Sequence, residues 1–219
     1  MRKSKAETAK TRERIVAVAS ESIRTQGIEA TGVAEIMAAA GLTHGGFYRH
    51  FSSKEELVRE AIALCRKDFV AGTLAAADEG AGAMLEHFQE YATPAHRDDL
   101  GSGCPLAANG SEIVRADVQT RHLATEGFRL IYEKAAPFMR PQDDESQIET
   151  AISVMTNMIG ALTMSRLVDD PKLSEKILEV TRRRIAKTFD VPASKPRGQV
   201  AKRAVKPQQR RVKREPGHP

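Results

Sequence analysis

The chain has 219 residues, of which 41% are hydrophobic and only 5% aromatic, with no tryptophan. That length suffices for one large or two modest domains. The net charge of +5 conceals an asymmetry: residues 1–54 carry nine Lys/Arg against five Glu, residues 55–192 sixteen basic against twenty-three acidic, and residues 193–219 nine basic against one acidic. A basic head on an acidic body suits a chain that meets an anion such as DNA at one end. Two cysteines far apart in sequence, Cys65 and Cys104, make neither a disulfide framework nor a metal cluster, so no metal or cofactor is expected. The longest uncharged apolar-leaning run, residues 151–165, is too short to cross a bilayer, and no apolar signal segment follows the basic N-terminus. The expectation is a cytoplasmic protein with no membrane partner. No stretch alternates apolar and polar residues, which points to an all-α fold of about nine helices.

Residues 1–5 read as a flexible basic arm. A first helix is expected over 6–26, with Ile15, Val16, Ala19 and Ile23 inward and Gly27 as its stop; Lys10, Arg12 and Arg14 lie near its start, within reach of a DNA backbone. Residues 31–51 form the centre of the chain. Thr31 or Gly32 can cap a second helix. Val33, Ile36 and Met37 recur at helical spacing, followed by an alanine run. Gly41 stands where the chain leaving that helix needs a left-handed residue, and Leu42 plugs the turn. Thr43 can then cap a third helix, from His44 to about His50. Helix, glycine turn and capped helix make a helix-turn-helix, whose second helix lies in the major groove. Phe47 and Phe51, at i and i+4, pack inward, while Tyr48, Arg49 and His50 face out beside an N-terminus able to receive phosphate. Ser53 to Glu56 reads as a capping box for a fourth helix, running to about Ala77 with Leu57, Ala61, Leu64 and Phe69 buried.

The string A-G-L-T-x-G-x-x-Y-x-H-F at residues 40–51, followed by S-K-E-x-L at 53–57, resembles the TetR family of bacterial one-component repressors. The likeness runs without gaps from about Thr11 to Ile62. It implies an all-helical homodimer, with an N-terminal helix-turn-helix domain over 1–52 and a larger ligand-binding and dimerisation domain over 53–191. Gly46 departs from the Thr or Ser common in the family; the change removes a phosphate-reaching hydroxyl and lowers helix propensity by roughly 1 kcal/mol relative to alanine. The DNA-facing set expected from pattern and resemblance is Thr31, Thr43, His44, Gly45, Tyr48, Arg49, His50 and Lys54. Of these, Thr43, Tyr48 and Lys54 are assigned to phosphate and His44 to base edges. Gly45 lets the backbone approach the groove.

Beyond a glycine-rich break at 78–82, a helix is expected over about 83–93, ended by Pro94, then a polar loop over 96–103. Gly103-Cys104-Pro105-Leu106-Ala107 resembles a G-C-P-x-A element of one branch of the family, close to the ligand cavity. Longer helices are expected at roughly 117–139, 146–168 and 172–189, with a linker at 141–145. An effector cavity would draw on Met84, Phe88, Tyr91, Cys104, Asn109, Phe128 and Tyr132, mostly uncharged residues suited to an apolar or aromatic small molecule. They would equally fill a helical core. Cys104 is either a small buried hydrophobe or a thiol that senses oxidants and electrophiles, activated by a helix N-terminus and by His96 or Arg97. The family dimerises through its last two long helices, which places Met155, Met158, Gly160 and Leu162 at the seam; their spacing also fits a core or a ligand box. Residues 192–219, rich in Pro, Lys, Arg and Gln, read as a disordered basic tail, either simply solvated or a source of non-specific nucleic-acid attraction.

The reading is a dimeric transcriptional regulator of double-stranded operator DNA, a repressor released by a small molecule. A thiol-based sensor acting through Cys104 and a sequence-tolerant DNA-coating protein are the alternatives. Catalytic residues are not expected: the sequence offers no Gly-rich phosphate loop, no helical His/Glu metal pair and no nucleophile elbow.

Overall fold

The computed structural model describes residues 4–141 and 144–191, the Asp68 side chain excepted. Residues 1–3 of the arm, 142–143 of the linker and the tail from 192 onward lie outside them. The described residues form nine α-helices: α1 (Lys5–Gln26), α2 (Val33–Ala39), α3 (Lys54–Glu79), α4 (Ala81–Tyr91), α5 (Pro94–Asp98), α6 (Pro105–Ile113), α7 (Val118–Ala135), α8 (Gln147–Leu167) and α9 (Pro171–Thr188). Two 3-10 segments, His44–Arg49 and Ala136–Phe138, complete the order. No helix among the described residues is long and apolar enough to cross a membrane.

Local chemistry accounts for most boundaries. Ser4 caps α1 in a reciprocal box, its hydroxyl accepting from Glu7 N at 3.2 Å while Glu7 accepts from Ser4 N at 2.7 Å; Ser4 and Lys5 therefore belong to the helix, not to the arm. Gly80, at φ +103°, breaks α3 from α4 alone, so α3 continues through the stretch expected to be a loop. Pro94 starts a helix rather than ending one. It takes the first position of α5, where its missing N–H costs nothing, behind the cap of Thr93. Asp170 caps α9 by accepting from Lys172 and Leu173 N–H.

Two apolar cores result. The first gathers Ile15, Ala19 and Ile23 of α1, Ile36 and Met37 of α2, Phe47 and Phe51, and Leu57, Ala61 and Ile62 from the start of α3. The second joins α3, α4 and α6–α9 around Phe88, Met84, Ile131, Met155, Leu162 and Leu178. Leu106 of α6 packs against both. Met155, Met158 and Leu162 thus lie inside the protomer, at most 4% exposed, and not at a seam. On α8 they share the stripe facing α9 and the core, while Gly160, about half a turn away, is exposed.

Arg12 ties the first core to α3. Its guanidinium donates to Glu56 at 2.7 Å and to Glu60, and lies 4.1 Å from the centroid of the Phe51 ring. It is therefore engaged within the chain, against the expectation that it reaches DNA. Ser53 caps α3 by accepting from Glu56 N at 3.3 Å, but the box does not close on Ser53. Glu56 instead accepts from the hydroxyl and N–H of Ser52, both at 2.6 Å.

Those Ser52 bonds, with help from Arg12, push the Glu56 carboxyl down to about 2. A carboxyl with a depressed folded pKa adds stability above its ordinary value of 4.5, and that stability fades as pH falls toward 2. In acid unfolding the stability difference between wild type and Glu56→Gln should be full above pH 4.5 and shrink steadily below it. A difference independent of pH would show that Glu56 acts without its charge. Gly27 sits at φ +96°, ψ 162°, a region essentially reserved for glycine, so Gly27→Ala should lower unfolding free energy by roughly 1–3 kcal/mol in a denaturant titration.

Candidate nucleic-acid interface and effector cavity

The turn between α2 and the His44–Arg49 segment is built by its backbone. Leu42 N–H donates to Met37 O at 2.8 Å and Gly41 N–H to Ala38 O at 2.9 Å, with Gly41 at φ +69°. This pair of bonds satisfies carbonyls that the end of α2 leaves free. The chain then enters His44–Arg49 as a 3-10 segment rather than the expected α-helix. Gly46 N–H bonds Thr43 O at 3.0 Å. The adjacent Gly45 and Gly46 have low helix propensity, and Thr43 makes no side-chain cap.

Phe47 anchors the segment. It is 1% exposed, stacked on Phe51 at 5.5 Å between ring centroids. Tyr48, the next residue, is 73% exposed, its ring edge-on to Phe47 at 5.2 Å. Thr43, His44, Gly45 and Arg49 are also exposed. His50 is half-buried with its ring beside Phe51. Lys54, at the first turn of α3, places Nζ 3.4 Å from Glu29 O, so it joins the α1–α2 turn to α3 while its head stays in solvent. Thr31 does not belong to this face: it is 1% exposed and its hydroxyl donates to Gly27 O at 2.6 Å. Gly32 occupies the cap of α2 instead, with Glu35 reaching back to its N–H.

In the second core two small hollows share Phe69, Cys104, Leu106 and Ile131. One, about 40 Å³, lies between α3 and α7 against Phe128 and Gly127. The other, about 30 Å³, lies deeper against Phe88, Tyr91, Met155, Met158 and Ile159. Arg66 crosses the first over Gly127, where a β-carbon would sit 2.6 Å from Arg66 Cδ. Of the residues expected to line a cavity, Phe88, Tyr91, Cys104 and Phe128 do so. Met84 is fully buried in the surrounding core and Tyr132 packs against it, both outside the two hollows. Phe69, Leu106 and Ile131 line both hollows and were missed as lining residues, because apolar spacing marks a buried face without marking a void.

Asn109 lies elsewhere. It is 1% exposed at the joint between the two cores. Its Nδ2 donates to Ile23 O at 2.9 Å and to Glu112 at 3.1 Å, and Glu112 accepts from Glu29 N at 3.1 Å. Partial burial acts to raise the Glu112 carboxyl, but the N–H groups of Glu29 and Ile28 and the Asn109 amide outweigh it and hold the group below its usual value.

Cys104 is the N-cap of α6, with Pro105 at the first helical position. Its own N–H donates to His96 Nε2 at 3.3 Å, and His96 Nδ1 faces Tyr91 O at 2.8 Å; the Nδ1–H tautomer satisfies both. Burial lowers the pKa of His96, in keeping with a neutral ring. Arg166 reaches in from α8, donating to His96 O at 2.9 Å and Arg97 O at 3.0 Å. Cys65, by contrast, is a core residue, its sulfur 3.1 Å from Ser20 Oγ, and burial raises its pKa.

Residues 15–61 match the model of the family described as bacterial regulatory proteins, tetR family. The same region is 42% identical over 59 residues to the HTH-type transcriptional regulator AcrR of Shigella flexneri and 36% identical over 66 residues to the HTH-type transcriptional repressor BepR of Brucella suis. These alignments cover 27% and 30% of this chain, and the chain spans only 27% and 32% of those two proteins. An HTH-type transcriptional regulator of Mycobacterium tuberculosis is 26% identical over 172 residues, 73% of this chain and 86% of the relative. In fold, the chain is similar to the reduced form of E. coli NemR, with a TM-score of 0.71 at 18% identity over 84% of this chain and 100% of that one. A TetR-family regulator from Agrobacterium tumefaciens gives 0.68 at 18% identity, covering 83% and 99%. Residues 15–61 of the chain are thus similar to bacterial regulatory proteins of the tetR family, and its all-helical fold is similar to that of solved TetR-family regulators.

Proposed function

We propose that this chain is a homodimeric repressor that binds a two-fold operator through residues 43–54 and leaves it when a small apolar molecule enters between α3, α6 and α7. The observation that carries the reading is the reading segment itself. Phe47 is sunk in the core while its neighbour Tyr48 stands almost free in solvent among Thr43, His44 and Arg49. An aromatic ring held out beside two cationic-capable side chains suits a phosphate backbone and a groove. We divide the chain accordingly into a DNA-binding part up to about residue 52 and an effector and dimer part from 53 to 191.

The dimer face we assign to the outer sides of α8 and α9. Met164, Leu173 and Val180 are 45–47% exposed and Leu167 72%, an apolar surface that a lone soluble protomer leaves costly. Gly160 lies on it; Met155, Met158 and Leu162 do not. Two linkages join effector to DNA. Helix α3 runs unbroken from Lys54 to Glu79, and α6 spans from the hollows at Cys104 to the α1–α2 turn at Glu112. An effector acts only through its difference in affinity for two states. A typical coupling of a few kcal/mol weakens operator binding by roughly 5–150-fold.

A second reading has an observation of its own. Cys104 stands at the N-terminus of α6, beside Tyr91 and in electrostatic range of Arg166. NemR, similar in fold, was solved as a reduced form. Cys104→Ser separates the readings: small-molecule release of operator should survive it, whereas a thiol sensor would lose all regulation.

Operator selection from random DNA should yield a palindrome bound roughly a thousandfold or more above bulk DNA at fixed salt; a DNA-coating protein would show no such ratio. Tyr48→Ala and Lys54→Ala should weaken all sequences alike, and Lys54→Ala should lower the salt slope by about 1. A change in base preference at full affinity would reject the phosphate assignment.

Gly160→Glu and Val180→Glu should each give monomers by sedimentation. Operator affinity should fall with the dimer, since the second half-site no longer binds at high effective concentration. Dimers persisting in both variants would place the interface elsewhere.

A further inference from the structure

Among the described residues lining the hollow between α3 and α7, only Arg66 carries a charge. Its side chain lies down along α7 instead of standing out from α3. A β-carbon on Gly127 would sit 2.6 Å from Arg66 Cδ, 2.8 Å from Cγ and 4.0 Å from Nε, so a glycine at 127 is what leaves room for it. The methylene stem closes part of the hollow while the guanidinium, on a partly exposed residue, sits at the rim; long cationic side chains commonly divide themselves in this way. Leu123, Ala124 and Phe128 of α7 line the same hollow and are also partly exposed. The mouth therefore lies between α3 and α7, and a molecule entering there passes the guanidinium.

Other arginines of these two helices have carboxylates: Arg59 pairs with Asp117 at 3.5 Å and Arg129 with Glu126 at 2.6 Å. Arg66 makes no ion pair and no hydrogen bond among the described residues. A cation folded onto apolar surface gives up part of its hydration. A carboxylate presented to it restores the loss through charge-assisted hydrogen bonds, and the planar guanidinium can take one bidentately. Behind the rim the walls are apolar. The deeper hollow continues the path past the shared Phe69, Leu106 and Ile131 to Phe88 and Met158. Hydrocarbon suits that interior, and a charged head stays outside it, at the mouth.

We propose that the effector is an elongated apolar carboxylic acid, its hydrocarbon body in the two hollows and its carboxylate at the rim on Arg66. This deepens the effector-released repressor reading and rests on it. One guanidinium balances one negative charge, which favours a carboxylate over a phosphate monoester carrying about −1.5 to −2. The hollows of about 40 and 30 Å³ hold only water-sized groups, so the hydrocarbon parts their walls while the head meets a cation already at the entrance. Arg66 is thereby a specificity residue, and Gly127 the residue that positions it.

Octanoate, octanol and octylamine share one chain and differ only in the head. In calorimetric titrations of the full-length protein at neutral pH, octanoate should bind roughly tenfold tighter than octanol, because it gains hydrogen bonds between charged groups, and octylamine should bind weakest. Arg66→Gln should bring octanoate down to the level of octanol. Gly127→Ala keeps the guanidinium but drives its stem from the rim, and should have the same effect. Equal binding of octanoate and octanol by wild type, tighter binding of octylamine, binding of no probe, or a preference that survives Arg66→Gln would overturn the proposal. Operator affinity is measured separately on the same preparations. Octanoate that binds wild type without weakening its hold on operator rejects the effector role, and a wild type without operator specificity rejects the regulator reading itself.

Discussion

The structure depends on a joint between two cores, and the joint is polar. Helix α1 ends at Gly27, leaving carbonyls without helical partners. Asn109 of α6 donates to Ile23 O, which also accepts from Gly27 N–H, and Glu112, one turn on, takes the N–H of Glu29. Ile113 at the end of the same helix belongs to the first core, and Cys104 and Ala107 at its start to the second. Nine residues thus span both parts of the molecule. A joint made of apolar contact alone would slide at little cost. Directional bonds to the helix terminus instead hold the turn before α2 at one position on α6.

The rest of the architecture follows from which faces this joint leaves over. With α1 fixed on α3 by Arg12, Glu56 and Glu60, and with α6 fixed on α1, the apolar sides of α3, α6 and α7 must close on one another. They do so imperfectly around Phe69, Leu106 and Ile131, which is where the hollows lie. Helices α8 and α9 bury one face each against that assembly and keep the other exposed. Cavity and outward face therefore come from the same packing.

Much of this was legible in the sequence. Gly27, Gly41 and Ser53 each mark a boundary through local backbone chemistry, and the bounds expected for α8 and α9 differ from those observed by a residue at each end. What stayed hidden depends on partners distant in the chain. Asn109 read as a cavity residue because its true partner, Ile23 O, is 86 residues away. Arg12 read as a phosphate ligand because nothing local reveals that Glu56 and Glu60, two like charges one turn apart, need a cation from another helix. Met155, Met158 and Leu162 have the spacing of a buried stripe, but spacing does not say whether the stripe meets its own chain or a partner. The stretch expected to be a recognition helix became a 3-10 segment because two glycines side by side leave the tertiary contacts of Phe47 to set its geometry.

Those two glycines have an informational consequence. On the proposed reading Tyr48 goes to phosphate, and a segment in which Gly45 and Gly46 stand next to each other presents only His44 and Arg49 to base edges. So few side chains can distinguish only a few base pairs in each half-site, and a short half-site recurs by chance many times in a genome. The discrimination missing from each reading segment then has to come from their separation. A rigid protomer pair accepts two short words only at one distance and one phase of the double helix. Such a protein would tolerate substitutions within its operator and reject insertions between the halves, a regulator that reads spacing more strictly than it reads letters.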